Sequence, residues 1–130
     1  MNPEELHYSR EHEWVKMESA GVAIVGVTDY AQEQLGDIVF VYFPADLKTV
    51  EQFKSFGEIE SPKAVSELFA PVSGQVIEAN EMLQDHPELV NEDPYGTGWM
   101  LKIKLTKTSE LDNLMDSKEY QSLITDSSGD

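Results

Sequence analysis

Apolar and polar positions in this chain alternate over short runs, and the period changes only near the C-terminus. Trp14-Val15-Lys16-Met17 leads to a turn at Ser19-Ala20-Gly21. The next run, Val22-Ala23-Ile24-Val25-Gly26-Val27, is apolar almost throughout, the pattern of a strand covered on both faces. Asp29 with Gln32 three residues later forms a capping-box pattern, and Gly36 closes the one or two helical turns expected over 30–35. Ile38-Val39-Phe40-Val41-Tyr42-Phe43 is the most β-prone run, and Pro44 ends it. Residues 75–79 read as a strand, and residues 81–93 as a loop punctuated by His86-Pro87 and Asp93-Pro94. Trp99, Leu101, Ile103 and Leu105 then alternate with Met100, Lys102 and Lys104, so the first set is expected inside and the second outside. After that the spacing turns helical. Leu111, Leu114 and Met115 follow a Ser109 cap, while Tyr120, Leu123 and Ile124 follow an Asp116–Glu119 capping box. Many short strands followed by terminal helices indicate an all-β core with helical additions.

The centre of the chain carries a hairpin signal. A β-rich run containing Phe56 and Ile59 breaks at Ser61-Pro62 and restarts at Val65. Proline holds its own φ near −65° and pushes the residue before it into an extended conformation. Ser61-Pro62-Lys63-Ala64 therefore reads as a type I turn with Lys63 at its third position. A single lysine on a stiff hairpin tip is well placed for a modifying enzyme to find.

Composition narrows the chemistry. A chain of 130 residues accommodates one domain with a true core. Nine basic residues against 25 acidic ones give a net charge of −16, which repels phosphate backbones and anionic lipid and favours basic clefts on partner proteins. With no cysteine there is no disulfide, thiol nucleophile or thiolate metal site, so any sulfur chemistry belongs to a cofactor. No apolar stretch approaches the ~18 residues of a membrane span. Met1-Asn2-Pro3-Glu4-Glu5 has neither the basic and apolar regions of a signal peptide nor the arginines of a transit peptide. A cytoplasmic setting is expected, or the mitochondrial matrix for a processed organellar form. His7, His12 and His86 show no metal spacing. Gly96-Thr97-Gly98 is not a phosphate loop, because Leu101 stands where a third glycine belongs. Ser73-Gly74 lacks the flanking glycine of a nucleophile elbow. Trp14 and Trp99 read as core aromatics.

Glu60-Ser61-x-Lys63-Ala64-Val65-Ser66, followed by Pro71-Val72-Ser73-Gly74-x-Val76, resembles the lipoyl-attachment segment of glycine cleavage H-proteins. Collinear matches extend the resemblance over roughly residues 6–124: Glu11-His12-Glu13-Trp14-Val15, Gly26-Val27-Thr28-Asp29-Tyr30-Ala31-Gln32, Leu35-Gly36-Asp37-Ile38-Val39-Phe40-Val41, Glu88-Leu89-Val90-Asn91, and Pro94-Tyr95-Gly96-x-Gly98-Trp99. Pro62 departs from the β-branched or small residue usual in the family, and residues 44–55 lack the usual glycines.

The resemblance implies a mainly β barrel-sandwich hybrid of the lipoyl and biotinyl carrier type, with short helices that include C-terminal ones. It implies a single carrier domain over residues 1–125 with a frayed tail at 126–130. It further implies lipoate joined to Lys63 as an N6-lipoyllysine, on a non-catalytic carrier. The arm would shuttle the aminomethyl group of glycine between a PLP-dependent glycine decarboxylase, a folate-dependent aminomethyltransferase and a dihydrolipoamide dehydrogenase, after loading by a lipoate-attaching enzyme. Glu13, Gln34 and Glu67 are expected to edge a cleft that receives the arm. Pro62 and Ala64 replace the methionines that flank a biotinyl lysine. A lipoate relay supplying other proteins, or an unmodified acidic interaction module, are the alternatives the sequence leaves open.

Overall fold

The computed structural model describes residues 3–19 and 21–128. Its strands are β1 (His7–Tyr8), β2 (Glu13–Ser19), β3 (Val22–Val27), β4 (Phe40–Tyr42), β5 (Thr49–Val50), β6 (Ser55–Ser61), β7 (Ala64–Phe69), β8 (Gly74–Ala79) and β9 (Leu101–Leu105). The helices are α1 (Asp29–Leu35), α2 (Met82–Asp85), α3 (Leu89–Glu92) and α4 (Ser117–Ser128), with a 3-10 segment over Thr108–Asn113. Six strands form one sheet in the order β1-β2-β3-β9-β8-β5, and three form another in the order β4-β6-β7. Every pairing is antiparallel.

The two sheets share a core because their strands alternate. Val15, Ala23, Val25, Leu101 and Ile103 from the larger sheet join Val41, Ile59 and Leu68 from the smaller one in a single apolar cluster. Each large aliphatic side chain removed from water there is worth about 1.5–3 kcal/mol. A second cluster of Leu6, Tyr8, Trp14 and Tyr120 ties α4 to β1 and β2. The rings of Tyr8 and Tyr120 stack at 4.7 Å. The Tyr120 hydroxyl lies 2.7 Å from Thr28 Oγ1 and 2.8 Å from His12 Nδ1. Gly26 is required beneath Trp14, since a Cβ there would come within 2.8 Å of the indole ring.

Several expectations need revision. Ala20, in the expected turn after β2, lies outside the described residues. The cap of α1 is Thr28, whose Oγ1 accepts from the Ala31 amide. Gln32 binds the Asp29 side chain instead of completing a box. Gly36 does close the helix, at φ +88°. β4 covers only Phe40–Tyr42; ahead of it the Val39 amide donates to Glu60 O and the Ile38 amide to the Asn91 side chain. The stretch expected as a loop over 81–93 contains α2 and α3, single turns that bury Leu83 and Val90. Met100 is fully buried, so the inside–outside alternation begins at Leu101. Lys107, not Ser109, precedes the 3-10 segment, which replaces an expected helix. The Asp116–Glu119 box is present reciprocally, at 2.8 and 3.0 Å. The tail expected from residue 126 falls partly within α4, which continues to Ser128; Gly129 and Asp130 lie outside the described residues.

Replacing Tyr120 by phenylalanine keeps the stacked ring but removes the hydroxyl shared by His12 and Thr28. It should lower unfolding free energy by about 1–2 kcal/mol, read from urea midpoints at unchanged slope.

Candidate functional site

β6 and β7 pair from Ser55↔Phe69 to Ser61↔Ala64, leaving Pro62 and Lys63 as the entire connection. Two-residue hairpins usually place positive φ at one or both loop positions. Among the described residues only His12, Phe53, Gly21 and Gly36 have positive φ, in keeping with the expected type I geometry at Pro62-Lys63. Directly behind the tip, Ser61 is buried and Ile59 points into the core. The Ser61 hydroxyl is the one buried side-chain oxygen of the described residues without a hydrogen-bond partner. The tip is thus held from beneath while both loop residues remain exposed.

Lys63 forms no hydrogen bond or ion pair with any described residue. Its stem passes over Gly36, where an added Cβ would sit 3.5 Å from the lysine Cε. Leu35, Gly36, Asp37, Pro62 and Lys63 surround an open depression of about 230 Å³ there. The facing segment is pinned by Asn91. Its side-chain oxygen accepts from the Ile38 amide at 2.8 Å, and its NH₂ donates to Gly36 O and Gln32 Oε1, both at 2.9 Å. Sequence reading found Asn91 as part of a motif but missed this role. A lone asparagine inside an apparent loop carries no local signal for it.

The three residues expected at an arm cleft occupy different settings. Glu67 is exposed on β7, opposite Glu58 of β6. Gln34 is exposed in the last turn of α1, two residues before Gly36. Glu13 is only 3 % exposed. Its Oε1 accepts from Ser9 Oγ at 2.8 Å and its Oε2 from the Phe69 amide at 3.3 Å, so its side chain bridges β2 of the large sheet to the end of β7. Burial outweighs these hydrogen bonds and pushes its pKa up to about 8. Neither the depression beside Lys63 nor a larger groove lined by Tyr8, Phe53, Phe69 and Met115 includes any of the three. No cluster of three metal-ligating side chains occurs among the described residues, and no described helix is long and apolar enough to cross a membrane.

Two antiparallel sheets about one core, with a few short helices packed on them, are the arrangement of a lipoyl-type domain. Residues 6–127 match the family model described as Glycine cleavage H-protein, and the chain belongs to that family. Glycine cleavage system H proteins of Staphylococcus carnosus and Bacteroides fragilis are 56% and 51% identical to it over 122 residues, each alignment covering 94% of this chain and 96% of the relative. The crystal structure of a glycine cleavage system H protein from Mycobacterium marinum superposes with a TM-score of 0.82 at 39% identity, covering 92% of this chain and 96% of that one. The family is lipoate-bearing, and its members are carrier subunits of the glycine cleavage system, not catalysts.

Two outcomes are expected from this geometry. Asn91→Ala leaves part-buried backbone groups at Gly36 and Ile38 without a partner and should cost about 1–3 kcal/mol. Amide exchange should quicken at Ile38 more than in β3. For Glu13, the folded pKa lies above the unfolded value, so the folded state binds the extra proton. Its contribution is complete below about pH 4.5 and lost as pH rises through about 8. His12, whose pKa burial lowers, acts with the opposite sign and only below its ordinary value of 6.5. Between pH 6.5 and 8, wild-type stability should therefore fall relative to Glu13→Gln, as read by urea unfolding at each pH. Parallel curves would show that another group is responsible.

Proposed function

We infer that lipoate is attached by an amide to Nζ of Lys63, and that the chain carries the aminomethyl group of glycine among the enzymes of glycine cleavage. The observation that supports this most is the free, exposed lysine at a two-residue hairpin tip, in a member of a lipoate-bearing family. The other seven lysines lack that setting. When bound, the lipoyl group supplies the dithiolane that accepts the aminomethyl unit and is reduced in doing so. The protein's own residues supply presentation. Pro62 restricts the turn, Ile59 anchors β6 in the core, and Asn91 holds the segment that faces the lysine stem.

Reach bounds the rest of the arrangement. Bond counting gives a lipoyl-lysine arm roughly 14 Å from the lysine Cα. Strand rise places Glu67 about 13 Å from Lys63 along β7, and Phe69, where the Glu13 carboxyl is bonded, about 20 Å away. Glu67 is accordingly the residue of the proposed arm cleft that the arm's end meets. Gln34 lies two residues before Gly36, over which the lysine stem passes. Glu13 lies beyond the arm's span along the strand and contributes by fastening the end of β7. The partners on this reading are a PLP-dependent glycine decarboxylase, a folate-dependent aminomethyltransferase, a dihydrolipoamide dehydrogenase and a lipoate-attaching enzyme. The unit is one carrier domain working in the cytoplasm, the compartment in which bacterial relatives would meet these enzymes. Tethering raises the local concentration of the reacting sulfur at each docked enzyme.

Lys63→Arg keeps the charge and, at an exposed tip, the stability. It should abolish both lipoylation, read as a gain of roughly 188 Da in intact mass, and glycine–bicarbonate exchange. A lipoyl adduct on the arginine variant would place the attachment elsewhere.

A further inference from the structure

The outer face of the β4-β6-β7 sheet exposes large apolar side chains on both of its outer strands. Directly paired residues on neighbouring strands share a face. The register aligns Phe40, Glu60 and Val65 in one row and Tyr42, Glu58 and Glu67 in the next. The intervening row, Val41, Ile59 and Ser66, faces the other way, and both Val41 and Ile59 are 1 % exposed. Phe40 is 44 % exposed, Tyr42 45 % and Val65 63 %, while the rings of Phe40 and Tyr42 stack at 6.4 Å. One face of a small sheet therefore presents two stacked aromatic rings and a valine, interleaved with three carboxylates and no basic residue. Val65 stands two residues from Lys63.

We propose that this face is the surface on which the lipoate-attaching enzyme docks, a proposal that rests on Lys63 being the lipoylated residue. The reason for choosing this partner is distance. Acyl transfer to Nζ takes place only about 6 Å from the lysine Cα. An enzyme that acts there must close around the hairpin and meet whatever lies within one or two residues of it. Enzymes that act at the far end of a ~14 Å arm can stand further off. Of the large apolar side chains on the sheet that ends at the tip, Val65 and Phe40 occupy the first outward row behind it. The surface complementary to this face carries lysine or arginine along its middle, opposite Glu58 and Glu60 of β6, flanked by apolar groups opposite Phe40, Tyr42 and Val65 on the two outer strands. The net charge of −16 favours approach by such a surface over longer range.

The test is the rate at which unmodified protein gains the lipoyl mass with limiting lipoate-attaching enzyme. Phe40→Ser with Val65→Ser should lower kcat/KM by about tenfold or more, as removal of apolar anchors does at interfaces. Val65→Thr keeps the strand-favouring branch and nearly the same shape, so its smaller drop is readable even if the double variant folds poorly. Glu58→Lys should slow the reaction further at low salt and less at high salt. Ile77→Ser with Met82→Ser removes two other exposed apolar side chains, on β8 and α2, and should leave the rate unchanged. Wild-type rates in Val65→Thr and in a folded double variant would overturn the proposal. Equal losses in the Ile77/Met82 control would also overturn it, because the effect would not be specific to this face. Wild-type protein that gains no lipoyl mass at all would overturn the assignment of Lys63 first, and this proposal with it.

Discussion

A side chain offered to several enzymes, as proposed for Lys63, must be free, yet the backbone that offers it must not move. In this protein the alternation of one strand meets both requirements. β6 sends Ile59 into the core and buries Ser61, and the chain then crosses to β7 through only Pro62 and Lys63. The loop is too short to wander, and the proline removes one of its torsional freedoms. Immediately beyond the last inward residue, the lysine finds no partner among the described residues, although the surface is crowded with carboxylates. An exposed ion pair there would have contributed little stability. It would, however, have placed a competitor beside the amine.

The tip is only as fixed as the small sheet that bears it, and that sheet has three strands. Three of the connections that restrain it act at different points of the sheet. Val41, Ile59 and Leu68 pack into the common core. The Glu13 carboxyl reaches from β2 to the Phe69 amide at the far end of β7. At the near end, Asn91 holds the segment between α1 and β4, whose Val39 amide donates to Glu60 O. Glu13 shows how far such a connection departs from ordinary carboxylate behaviour. Its hydrogen bonds lower the pKa, but desolvation is the larger effect. A group retained under that penalty is fastening the two sheets together, and it is poorly suited to serve as a solvated charge at the surface.

Legibility in the sequence followed from where the information was stored. β3, β6 and the Asp116–Glu119 cap were readable because periodicity and capping chemistry are local. The hairpin was readable because proline acts on its own and the preceding residue alone. Met100 was misassigned because its burial arises from the chain's entry into β9, where the Asn80 amide donates to Trp99 O and the Asn80 backbone pairs with Met100. α2 and α3 were hidden because a single turn offers too few residues for a helical period to emerge, and His86-Pro87 resembles loop punctuation. Lys63 stood out from its neighbours by motif, whereas the burial of Glu13 did not. Its bonds join residues 13 and 69, and no spacing rule links positions so far apart.

With lipoate on Lys63, as proposed, the lysine and the loaded arm would impose different distances on the enzymes they meet. Chemistry at Nζ is confined to about 6 Å from the backbone, and chemistry at the arm's end extends to about 14 Å. One carrier therefore has two concentric footprints around the same tip. The inner footprint contains Pro62, Val65 and Phe40, with Glu60 between the last two, and demands close shape matching. The outer one extends past Glu58 and Glu67 to the acidic surface beyond, where charge acts across solvent and tolerates partners of different shape. On the proposed attachment, an acidic carrier of this form would be selective toward the enzyme that modifies it and permissive toward those that use it. The separation needs no moving part, only a difference in tether length.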